Sequence, residues 1–114
     1  MAFNDAASVT AANALVAAYP YLSLHTTGAV TSSANESTAA RVAASWSVDA
    51  DGDLTATNRA FTGGAASGPV VRVGYWSAAT GGTYGGGALL SGDQAFNAAG
   101  EYTVTSVTET STFS

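Results

Sequence analysis

The chain has 114 residues, 46% hydrophobic with much of that alanine, only 10% charged residues, no cysteine, a net charge of −5 and a pI near 4.2. That length suits one domain with one modest two-layer core. The absence of lysine leaves Arg41, Arg59 and Arg72 as the only cations, too few to neutralise a phosphate backbone or an anionic membrane, so neither nucleic acid nor membrane is expected as a partner.

Without cysteine there are no disulfides and no thiolate zinc sites. No apolar run approaches the roughly 20 residues of a membrane span. Met1-Ala2-Phe3-Asn4-Asp5 lacks the basic start of a secretory signal, so synthesis in the cytosol is expected. The scarcity of charge beside abundant Thr, Ser, Ala and Gly is the composition of an assembly surface.

Residues 4–18 read as a helix. Asn4 or Asp5 caps it, alanines fill it, and Pro20 ends it. Val9, Ala12, Val16 and Tyr19 fall at helical spacing and predict a weak apolar stripe, packed on the sheet or on a neighbouring subunit. After Pro20 the period becomes two. Tyr21–Thr26 alternates, and residues 27–37 form a polar loop. Residues 41–48 alternate again with Val42, Ala44, Trp46 and Val48 on one face. Asp51-Gly52 predicts a hairpin to Leu54–Asn58. Val70–Ser77, Tyr84–Ser91 and Glu101–Glu109 are further strands. In the last of them Tyr102, Val104, Ser106 and Thr108 share a face. This strand is polar on both sides, which suits a sheet edge. Regularly spaced short strands predict a mainly β fold: a single β-sandwich, jelly-roll-like, over 20–109, with a short N-terminal helix and a polar tail at 110–114.

Candidate sites are few. Asp49, Asp51 and Asp53 have the alternating spacing of a Ca²⁺ loop, but Arg59 and Ala60 stand where a bidentate Glu belongs, and an acidic hairpin tip explains them as well. His25, the only histidine, lacks a second metal ligand, and its ring is expected to satisfy a loop carbonyl. No G-x-S-x-G surrounds any serine, and no nucleophile–base pair is recognised, so catalysis is not expected. The glycines at 81–82 and 85–87 lack the G-K-[ST] of a phosphate cradle. No cofactor is implied. Glu36 and Arg41 are placed to pair and fix the loop. Trp46, Tyr75 and Trp76 are the aromatics of a possible sugar-binding face. Alternation puts Tyr75 and Trp76 on opposite faces, so one is expected to point outward and anchor an interface. Trp76, Arg72, Tyr75, Val9 and Val16 are the interface candidates.

Two stretches together carry a resemblance. Tyr21-Leu22-Ser23-Leu24-His25-Thr26-Thr27 is followed by Asn35-Glu36-Ser37, then by Arg41 to Trp46. Val70-Val71-Arg72-Val73-Gly74-Tyr75-Trp76-Ser77-Ala78-Ala79-Thr80-Gly81-Gly82-Thr83 comes later. Over about residues 20–107 this order resembles a family of small tailed-bacteriophage virion proteins, described as minor capsid, head-decoration or tail-fibre proteins. That family carries an LSLHT strand, an ANE loop and a VGLWDAATGG-like strand and turn. The chain departs from it at Thr27-Gly28-Ala29, where Asp-Pro-Gly is common, and at Ser77, where the family has Asp. The resemblance implies a virion structural role without catalysis. The partners it implies are the major capsid protein and further copies of this chain, on the capsid surface. A tail-fibre or tail-tip component contacting host glycans is the alternative.

Overall fold

The computed structural model describes residues 3–111, so residues 112–114 of the expected tail lie outside the described residues. One helix precedes two antiparallel sheets. Helix α1 spans Asp5–Ala18. Asn4 caps it, its side chain accepting from the Ala7 N–H, and Asp5 supplies a negative charge to the first turn. The strands are β1 (Tyr21–His25), β2 (Val42–Ala43), β3 (Ser47–Val48), β4 (Leu54–Phe61), β5 (Arg72–Trp76), β6 (Tyr84–Leu89) and β7 (Tyr102–Glu109). They form a four-stranded sheet in the order β2-β1-β5-β6 and a three-stranded sheet in the order β3-β4-β7. This is the mainly β sandwich with an N-terminal helix that the alternating segments predict.

The core lies between the sheets. Leu22, Leu24, Val73 and Tyr75 meet Ala56, Phe61, Tyr102, Val104 and Val107 across it, with Phe96 closing one end. Registers Leu22↔Tyr75 and Leu24↔Val73 place the first four on one face of the larger sheet.

Three departures from the expected pattern have local causes. Residues 41–48 are not one strand. The chain leaves the first sheet after Ala43 and enters the second at Ser47, turning at Ser45, which has φ 51°. In β7, Val107 faces the core and Ser106 does not, because the inward phase switches midway along the strand. Its partner β4 switches too, with Ala56 and Phe61 both buried, around Asn58 at φ 51°. A left-handed residue turns both strands together without changing their register.

The helix is also rotated from the expected stripe. Ser8 and Ala12 are its buried residues, while Val9 and Val16 are only half-buried. The reason is close approach to the β3–β4 turn. A Cβ on Gly52 would stand 2.6 Å from the Ser8 carbonyl carbon, so glycine with φ +84° in the turn and a small residue on the helix let the two backbones touch.

Candidate functional site

The outer face of the larger sheet carries a sealed polar layer. Ser23, His25 and Arg72 are all fully buried. They project opposite to the core leucines, through the pairs Ser23↔Gly74 and His25↔Arg72. The loop from Thr26 to Arg41 folds over them. Arg72 holds that loop from beneath: Nε donates to Thr27 O at 2.9 Å, Nη1 to Ser32 O at 2.7 Å and Nη2 to Ala34 O at 2.6 Å. Nη1 also donates to the Tyr84 hydroxyl at 2.9 Å, and that hydroxyl donates to Val30 O at 2.7 Å. A guanidinium buried without a carboxylate is satisfied here by carbonyls fixed in place, using its planar fork.

His25 has a defined proton arrangement. Ala34 O only accepts, so the contact of 2.9 Å from Nδ1 puts the proton on Nδ1. Nε2 then accepts from the Ser23 hydroxyl at 2.6 Å, and Ser23 Oγ accepts from Trp76 Nε1 at 2.9 Å. The loop carbonyl was expected from the sequence; the serine was not. Ser23 and His25 form a hydroxyl–imidazole pair that the search for G-x-S-x-G missed, since it arises from alternate residues of one strand. Both are fully buried under the loop, and a main-chain carbonyl stands where a triad has its carboxylate.

Burial and, less strongly, the Arg72 charge hold the His25 pKa below its ordinary 6.5. The unfolded chain therefore binds the proton more readily than the folded one. Stability from this group is complete above about pH 6.5 and falls as pH drops through the folded value. Urea unfolding should show a stability decrease between about pH 7 and about pH 5 that shrinks in His25→Gln. An unchanged slope would mean that other groups set it.

Arg41 closes the layer. Its Nε and Nη2 pair with both Glu36 carboxylate oxygens at 2.8 and 2.9 Å, and Nη1 donates to Ala78 O and Gly81 O. The loop-fixing pair expected from the sequence is thus bidentate and shielded. The guanidinium also lies 3.6 Å over the Trp76 ring, which Tyr84 meets edge-on at 5.2 Å.

Tyr75 and Trp76 do face opposite sides of the sheet, but this covering overturns the expectation that the outer one is exposed and free to anchor an interface. Tyr75 is 8% exposed in the core and Trp76 9% exposed in the polar layer. Arg72 is 0% exposed. None of the three offers a free surface, because β5 is buried on both faces. The carboxylates of Asp49, Asp51 and Asp53 have oxygens within 4.8 Å of one another. Asp49 Oδ1 accepts from the N–H groups of Asp51 and Asp53, and Asp53 Oδ1 accepts from Ser111 N–H, the bonding of an acidic turn.

The free surface lies elsewhere. On one flank the sheet edges are β2 and β3, two residues each and joined by the corner at Ser45. On the other, the edges are β6, six residues, and β7, eight residues. Between them runs a groove of about 330 Å³ lined by Ala88 to Ser91 and by Tyr102 to Thr108. Leu89, at its rim, is 72% exposed. Short edges resist strand addition, while long ones without lysine or proline invite it. Neither β6 nor β7 contains either residue.

Comparison with family models, curated proteins and solved structures finds no match to this chain.

Proposed function

We infer that this chain is a structural protein of a tailed-phage particle, a minor capsid or decoration subunit that binds the major-capsid lattice and reinforces it. The observation that carries the reading is the open β6/β7 flank. It presents two long strand edges side by side, neither carrying lysine or proline and only β6 interrupted, by a bulge at Gly85, where an extended segment of the lattice adds by main-chain hydrogen bonds. The resemblance of its motif order to that of the virion family points to the same role. Repetition over a lattice turns modest single contacts into high avidity.

The test is the copy number in purified particles, by quantitative mass spectrometry against the major capsid protein. Decoration requires a ratio set by the capsid lattice. A handful of copies would move the protein to the tail, and absence would overturn both virion roles. The flank is tested by Leu89→Lys with Thr105→Lys. Both side chains are exposed, so folding stability should change by less than about 1 kcal/mol. Particle occupancy should fall by about tenfold or more, since added charge blocks edge pairing. Full occupancy would exclude this flank as the contact.

A further inference from the structure

A second opening, distinct from the β6/β7 groove, lies beneath the helix. It has a volume of about 340 Å³ and is walled by α1, the β3–β4 turn, the glycines of β6 and the end of β7. That size falls within the range of small-molecule sites. Three aromatic residues line it: Tyr19, Trp46 and Tyr75. Trp46 and Tyr75 meet edge to face, with centroids 5.3 Å apart and planes at 75°, so they form a corner. Trp46 is fixed there by donation from Nε1 to Tyr19 O at 2.9 Å.

Two polar features distinguish this cavity from a packing defect. Glu109 is the only charged residue among its described lining residues, and its Oε2 accepts from the Tyr75 hydroxyl at 2.5 Å. Ser8, fully buried, also borders it. Ser8 Oγ is the single buried side-chain polar atom among the described residues without a hydrogen-bond partner. An unmade hydrogen bond at a buried hydroxyl is unfavourable, and a ligand group would make it.

We propose that this cavity binds a small organic cation, an alkylated ammonium ion carrying a hydroxyl group. Glu109 supplies the counter-charge, the aromatic corner holds the weakly hydrated ammonium by cation–π attraction, and Ser8 meets the hydroxyl. The apolar walls disfavour a strongly hydrated metal ion. A lysine of another copy is not the occupant, since the chain has none. The three arginines are committed elsewhere: Arg41 to Glu36, Arg72 to the loop carbonyls, and Arg59 to Thr57 O and Ser45.

The probes are choline and its uncharged isostere 3,3-dimethyl-1-butanol, titrated into the intact protein and followed by NMR at the Trp46 indole N–H. Choline should shift that signal saturably and bind about tenfold or more tightly than the isostere. Glu109→Gln should bring the two together. Should that variant fail to fold, the wild-type comparison decides alone. Equal binding of both probes would show an apolar pocket indifferent to charge and overturn the proposal. No saturable shift with either would overturn it too. The proposal does not depend on a virion role, and the copy-number measurement leaves it untouched.

Discussion

Arg72→Met should lower folding stability by about 3–5 kcal/mol, the largest effect expected from one polar side chain here. Met fills much of the same volume but donates nothing. Thr27 O, Ser32 O and Ala34 O would lose a donor, as would the Tyr84 hydroxyl. The loop from Thr26 to Arg41 would then have to lift toward water to resatisfy its carbonyls. Arg72→Lys keeps the charge but cannot reach three carbonyls from one planar group, so it should recover only part of the loss. Urea unfolding monitored by circular dichroism gives both values. A loss under about 1 kcal/mol for the Met variant would show that the loop is held mainly from its outer side, by Arg41 and Glu36.

The second large effect is expected at Gly74. A methyl there would stand 2.6 Å from His25 Nε2, 2.6 Å from Ser23 Oγ and 2.7 Å from the Tyr84 ring. None of these is the free end of a flexible chain. The first two are bonded to each other, and Ser23 Oγ also receives the Trp76 indole. Gly74→Ala therefore overpacks the layer and parts a buried hydrogen bond at once, for about 3 kcal/mol. Arg72 and Gly74 serve one network, so the double variant should lose less than the sum of the two. Additive losses would mean that the loop and the Ser23–His25–Trp76 chain are energetically separate.

The alternation of Leu22 and Leu24 with Ser23 and His25 was readable from the sequence, as were the Asp51-Gly52 hairpin, a helix cap at Asn4 or Asp5 and the polar last strand as an edge. These are local signals, set by one residue's backbone preference or by a short period. What the sequence hid depends on distant segments. Nothing in Val70–Ser77 says that a loop some 40 residues earlier will cover its second face, so Arg72 and Trp76 read as surface residues. The break at Ser45 and the phase switch at Asn58 use left-handed conformations at residues that adopt them without announcing it, where glycine would have been a visible marker. The cavity was invisible for the same reason: Ser8, Trp46 and Glu109 come from three separate segments, the helix, the β2–β3 corner and the end of β7. Of the expected interface residues, those on β5 are interior, while the β6/β7 flank was foreshadowed only in its β7 half.

The two tryptophans give the molecule separate optical reporters. Trp46 lies against the sandwich interior beside Tyr75, and Trp76 lies in the outer polar layer beneath a guanidinium. With Trp46→Phe and Trp76→Phe, each indole can be watched alone. Its emission then follows one side of the larger sheet, so a rapid-mixing refolding experiment can time collapse of the apolar interior separately from closure of the loop over Arg72.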